Sequence, residues 1–319
     1  LKLSRIYRKV VEEGMAADPR GREAVAKVLA KAKKDLEALK EADKKYFDKE
    51  RLENPYADTR ILYGDDSTEV KRAIVGVDME VGEIVLADRL NDKGRKIDLV
   101  IAHHPEGRAW ANFYEVMNMQ PDIWAKFGVP INVAEGIMRD RVKEVERRVL
   151  PANHTRTVDA ARLLDIPMMC AHTPADNHVV TFLQKMMDDK KPETVSDVID
   201  ILKGIPEYQQ AMKVNAGPRV FFGDARNRAG KVFVDMTGGT EGPTNMFEKL
   251  EAAGVGTIIA MHLGEDHLKN AQKGHMNIVI AGHISSDNLG LNLLFDKIEK
   301  EGRIEFIGCS GFERISRRK

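Results

Sequence analysis

From Arg22 to Lys49 the apolar positions Val25, Leu29, Ala32, Leu36, Leu39 and Tyr46 recur mostly at spacings of four and three, with Asp43 interrupting the series. Lys and Glu fill most of the remaining positions. This period predicts one long helix with a narrow apolar stripe, begun near Asp18-Pro19. Ile6, Val10 and Val11 predict a shorter helix before it, Ser4 to Met15. Such a stripe is satisfied either by packing on its own domain or by a helix of another subunit.

After Asn54-Pro55 the pattern changes to short β-branched or aliphatic runs. "RAIVGVDM", "KIDLVIA", "DIPMMCA", "KVFVDM", "VGTIIAM" and "NIVIAG" predict strands, and segments such as "TNMFEKLEAAG" and "HLKNAQKG" predict helices between several of them. The expected fold class is α/β: mixed, largely parallel sheets flanked by helices, with an N-terminal helical extension. The expected organisation is an extension over residues 1–55 and a core over residues 56–319, with the site between the core's N- and C-terminal halves. "PRVFFGDARNRAGKVFV" is expected to form a hairpin, because a turn-rich centre separates its two apolar runs.

Composition excludes several classes of partner. Lys+Arg and Asp+Glu each total 50, so no bulk field draws the chain to nucleic acid or an anionic membrane. Runs such as "LVIA" fall well short of the roughly 18 apolar residues of a membrane span, and the opening "LKLSRIYRKV" has no signal-peptide core. Two cysteines, Cys170 and Cys309, form no zinc-knuckle or redox spacing, which fits a reducing, cytoplasmic setting. Cys170 is expected to be a buried hydrophobe within its strand.

Chemistry concentrates where strands end. "DLVIA" runs into His103-His104-Pro105, "IPMMCA" into His172 and then Asp176 and His178, and "NIVIAG" into His283 and Asp287. A fourth run, "TIIAM", leads to His262 and His267. Loops that follow parallel strands gather at one edge, so these imidazoles and carboxylates can pool in one place. Mixed His/carboxylate sets suit zinc, iron, manganese, cobalt or nickel. Pro105 restricts His104 to extended geometry, which can turn the adjacent pair toward a common cavity. In the turn "GGTEGP", expected to open a helix, the backbone at Gly239 and Thr240 is a candidate substrate contact.

An H-H-P after a strand, an H-T-x-x-D after a later strand and a G-H followed by an acidic residue near the C-terminus together resemble the NGG-one-interacting factor three family. Its members are described as dinuclear metal-centre proteins or type-two GTP cyclohydrolases. The resemblance spans roughly residues 70 to 319. It implies two divalent transition-metal ions held by His103, His104, Asp176, His283 and Asp287, with bridging carboxylates, and a homo-oligomer, a hexamer. Three features depart from the family: Asp287 stands where glutamate is usual, Met261-His262 replaces a Thr-Gly pair, and the segment between His104 and His172 is longer. His267 matches the family's downstream histidine.

The function expected on this basis is metal-dependent hydrolysis of a nucleotide-like or other small polar substrate. His172 and Glu106 are the candidate catalytic groups, His172 being equally placed by its four-residue spacing from Asp176 to ligate or to orient a ligand. His178, His262 and His267 are candidates for an outer layer or for substrate contact. The alternative is a metal-handling or regulatory interaction protein without catalysis.

Overall fold

Continuously apolar runs become central parallel strands, and runs with polar positions become edges. The computed structural model describes residues 1–318. Its strands are β1 (Ile61–Tyr63), β2 (Arg72–Gly76), β3 (Leu99–Ala102), β4 (Met168–Cys170), β5 (Arg219–Phe222), β6 (Lys231–Asp235), β7 (Val255–Ala260), β8 (Asn277–Ile280) and β9 (Glu305–Gly308). They form two sheets, in the orders β1-β4-β3-β2-β9 and β5-β8-β7-β6. All neighbours are parallel except β1 with β4 and β5 with β8, each an antiparallel edge. The architecture is therefore α/β with two mixed, largely parallel sheets flanked by helices, as the sequence predicts. No helix among the described residues is long and apolar enough to cross a membrane.

Two helices tie the sheets together by crossing between them. The Thr173–Lys190 helix, reached from β4 of the first sheet, sends Val179, Val180 and Leu183 into a core with Val232, Val234, Ile259 and Val279 of the second. The His283–Ile298 helix, reached from β8 of the second sheet, sends Leu291, Leu294 and Phe295 into a core with Ala73, Val75, Leu99 and Ile101 of the first. Each helix thus buries much of its apolar surface on the sheet it did not come from, while Ala175 and Leu289 keep contact with the sheet each helix left. The site-bearing first turns of both helices are thereby pinned between the sheets. Gly282, before the second helix, has φ +108°, a conformation that only glycine adopts without strain.

The chain end straps the outer side of the His283–Ile298 helix. Asn288 and Asn292 accept hydrogen bonds from the backbone N–H groups of Glu313 (2.7 Å) and Ile315 (3.0 Å), and Asp296 accepts one from that of Arg317 (3.1 Å). Four helical residues rise about 6.0 Å and two extended residues about 6.6 Å, so this ladder stays nearly in register.

Three local expectations differ from the structure. The predicted hairpin is absent: β5 pairs with β8 and β6 with β7, at opposite edges of the second sheet, because β6 finds a better-buried place beside β7. The long second helix stops at Ala38, and Leu39 is extended; the next turn, Glu41–Lys44, buries no residue, so no apolar contact carries the helix past Asp43. The "GGTEGP" turn does not open a helix, since the following helix, Met246–Ala252, begins only after Asn245. In the N-terminal segment, Leu3, Ile6 and Val10 join the core of the first sheet, and Val25 and Ala32 are buried.

Candidate metal centre

His103 leaves β3 fully buried, with Nδ1 3.1 Å from the Ala171 carbonyl. A carbonyl only accepts, so Nδ1 carries the proton of this bond and Nε2 points the other way. That Nε2 lies 3.4 Å from Asp176 Oδ1 and 3.3 Å from Asp287 Oδ1. The two carboxylates come from the N-terminal ends of the crossing helices, Asp176 from the first turn of one and Asp287 from the start of the second turn of the other. His283 opens the second helix, four residues before Asp287, and its Nε2 is 3.5 Å from Asp287 Oδ2. His104 completes the group, with Nε2 3.4 Å from His283 Nε2 and 3.7 Å from Asp287 Oδ2.

Three overlapping sets of donors fall within 4.8 Å of one another: His103, His104 and His172; His104, His283 and Asp287; and His103, Asp176 and Asp287. His103 Nε2, Asp176 Oδ1 and both Asp287 oxygens are buried without a hydrogen-bond partner among the described residues. Buried polar atoms are normally paired, and a lone buried carboxylate is costly unless a cation meets it. The donors are the mixed imidazole and carboxylate set that borderline divalent metals take. The cluster could hold a metal ion, and Asp287 is not a helix cap: Gly282 holds the N-cap position.

The electrostatics follow the same convergence. Burial alone would push His103 down, but the Asp287 and Asp176 carboxylates outweigh it and hold the imidazole well above its ordinary value. His104 moves the opposite way, to about 4, because burial and the neighbouring His103 and His172 both disfavour a second positive charge. Burial would raise Asp287, yet His103 pulls it below the usual carboxylate range.

Behind the imidazoles stand carboxylates that sequence patterns did not single out. Asp78 Oδ1 accepts from His104 Nδ1 at 2.7 Å, and Asp58 Oδ2 from His172 Nδ1 at 2.8 Å. Glu241 accepts from His262 Nδ1 at 3.1 Å and from the Gly264 N–H at 2.7 Å, and His262 pulls it down to about 2. Asp78 follows β2, so the strand-end signal used for the histidines would also have found it. Glu241 lies inside the quoted Gly-rich turn. Asp58 sits in an irregular segment and carries no local signal.

The remaining sequence candidates divide. His262 reaches the cluster, its ring 4.9 Å from that of His283. His267 is set back, bonded through Nε2 to the Gly242 carbonyl at 2.8 Å. His178 is not brought to the site: the charges acting on it are Glu13 and Lys297, and burial pushes it down to about 4. Cys170 is buried, its sulfur accepting the Glu106 N–H at 3.2 Å, and burial raises its thiol. Gly239 and Thr240 border two cavities. One, of about 60 Å³, opens onto Asp176, His283 and Asp287; the other, of about 360 Å³, is bounded by His104, Glu106, Trp110, Phe113 and Arg156. Burial pushes the Glu106 carboxyl up to about 7. The loop is held from behind by Gln120, whose Nε2 donates to the carbonyls of Gly238 and Thr240 at 2.7 Å each.

No family model matches the chain, and no curated protein matches it. Among solved structures it is similar to a NIF3 superfamily protein from Sphaerobacter thermophilus, 29% identical, covering 80% of this chain and 91% of that one with a TM-score of 0.70. Reduced HcgD from Methanocaldococcus jannaschii is 15% identical over 78% of this chain and 87% of its own, with a TM-score of 0.46. A Bacillus cereus protein related to NIF3 is 13% identical over 79% and 91%, with a TM-score of 0.42.

Proposed function

The chain belongs to the NIF3 superfamily, and from that premise we propose a dinuclear metal protein acting as a metal-dependent hydrolase on a nucleotide-like or other small polar substrate. The observation that carries the reading is the convergence of four unpartnered buried donor atoms from His103, Asp176 and Asp287 at one point between the sheets. His103, His104, Asp176, His283 and Asp287 would hold the two divalent ions, whether zinc, iron, manganese, cobalt or nickel. Ions so held would supply Lewis-acid charge and lower the pKa of a bound water. Asp176 and Asp287 contribute the negative charge that two neighbouring cations require.

The larger cavity would take the substrate. Its volume of about 360 Å³ lies near the lower end of ligand sites, which run from about 300 to 1,000 Å³. Trp110 and Phe113 offer apolar walls and Arg156 a cationic group for a polar substituent. Glu106, raised to about 7 by burial, can hold or release a proton near neutrality and takes the proton-transfer role. The resemblance also carries a homo-oligomer, a hexamer, and the two free cysteines agree with a cytoplasmic setting.

The small size of the inner cleft, about 60 Å³, supports a second reading, metal handling or regulation without catalysis. Elemental analysis tests the centre: the protein should carry close to two transition-metal ions per chain, and His104→Ala or Asp176→Ala should remove at least one. No metal after purification without chelator, and no uptake on addition, would overturn it. A fully loaded protein that turns over no member of a nucleotide panel would favour the second reading.

A further inference from the structure

The segment between the N-terminal helices and β1 reaches His172 of the cluster through two adjacent side chains, Asp58 and Thr59. Asp58 is fully buried, and its Oδ2 accepts both His172 Nδ1, at 2.8 Å, and the Thr173 hydroxyl, at 2.6 Å. The backbone N–H of His172 is bonded to Thr59 Oγ1 at 3.2 Å, so the same loop grips both the ring and the main chain of this histidine. A carboxylate can only accept, so Nδ1 must carry a proton and Nε2 is left as the lone-pair nitrogen of the neutral ring. That Nε2 is 3.8 Å from Asp176 Oδ2, and a nitrogen of His172 lies within 4.8 Å of donor nitrogens on His103 and His104.

The Asp58 loop is clamped by the residues before it. Tyr56 donates its hydroxyl to Asp18 at 2.8 Å, and Asp18 is gripped in turn by Arg20 through bonds of 3.0 and 2.9 Å. Asn54 donates to the Thr59 carbonyl at 2.8 Å, and buried Arg60 donates to the same carbonyl at 2.7 Å while its other nitrogen pairs with Asp48 at 2.7 Å. Every one of these partners is polar and most are buried. Such a network is expensive unless complete, and complete it holds one geometry.

We infer that Asp58 is a positioning residue of the metal centre: it fixes His172 with Nε2 turned inward as a sixth metal donor, and the turn linking the first two helices together with the segment from Asp48 to Arg60 holds Asp58 in place. This rests on the proposed centre. Carboxylates that orient a ligating imidazole in this way typically change metal affinity about 10- to 100-fold when removed.

The tautomer can be read without metal. Nitrogen-15 correlation spectra of the metal-free wild-type protein at alkaline pH should show His172 protonated on Nδ1 and bare on Nε2. Asp58→Ala should lose that preference and bind cobalt(II) about 10- to 100-fold more weakly at one of two positions, with an altered visible spectrum. Thr173→Val, which removes the other donor to the same carboxylate oxygen, should keep the wild-type tautomer. A proton on His172 Nε2 in the wild type, or an Asp58→Ala protein with wild-type cobalt affinity and spectrum, overturns the inference. Should Asp58→Ala fail to fold, the wild-type tautomer decides alone. A wild type that takes up no metal overturns the proposed centre itself, whereas the wrong tautomer in a metal-binding protein overturns this inference only.

Discussion

Gly290 faces the backbone carbonyl of Ala175 so closely that a Cβ at position 290 would lie 2.4 Å from its oxygen. This contact joins the two crossing helices three residues after Asp287 and one residue before Asp176. The two carboxylates that face His103 flank this close approach.

Gly290→Ala is therefore a test of the helix crossing. Alanine would gain about 1 kcal/mol of helix propensity, but the obstructing atom is backbone and cannot rotate away, so overpacking at a cost of about 1–3 kcal/mol wins. The variant should unfold at lower urea concentration than wild type and bind metal more weakly. A variant as stable as wild type with unchanged affinity would mean that the crossing tolerates wider spacing and does not set the site.

Asp287 has both oxygens buried without hydrogen bonds among the described residues, whereas a helix cap would be bonded to backbone N–H groups. Asp287→Ala should lose one ion by elemental analysis, and the rise in melting temperature on adding zinc should shrink. Asp287→Glu should retain binding with altered affinity, because its carboxylate reaches one methylene further. Equal stoichiometry and affinity in all three proteins would remove Asp287 from the ligand set.

Asp235, at the end of β6, is pushed up to about 7 by burial and by the nearby Glu241 charge. The folded protein keeps this proton to about pH 7, while the unfolded chain releases it near 3.8. Stability from this group is thus full at low pH, falls as pH rises across that window, and is level above it. Asp235→Asn removes the loss, so its stability relative to wild type should climb between those pH values and then plateau. Urea midpoints measured across pH with chelator present would show this, and a flat difference would assign Asp235 an ordinary carboxyl.

The Arg22–Ala38 helix buries Val25 and Ala32 within the chain and leaves Leu29 and Leu36 half-buried. If a second subunit covers the latter pair, Leu29→Asp with Leu36→Asp should lower the assembly state while metal content and far-ultraviolet circular dichroism stay as in wild type, since covering unpaired carboxylates is costly. Light scattering that finds the same oligomer would confine this helix to packing on its own chain.

What the sequence determined by itself was set by local chemistry. Short continuous aliphatic runs bounded by turn residues favour strands buried on both faces, so β2, β3, β4, β6, β7 and β8 were legible, and histidines at several strand ends marked the cluster. The strands β1 and β9 were not legible, because as sheet edges they are only partly buried and carry no fully apolar run set off by turn residues. Tertiary structure alone decided the rest. Strand pairing depends on which neighbour offers the better-buried place, which is why β5 and β6, linked by a turn-rich segment, sit at opposite edges. His172 holds the N-cap position of the Thr173–Lys190 helix and His178 lies within it, and only His172 faces the cluster, because a helix turns successive positions to different sides. Asp58 reaches His172 across a sequence separation of 114 residues. No local pattern encodes such a contact: it arises when two sheets exchange helices and bury the loop between them, where desolvation forces every polar atom to find a partner.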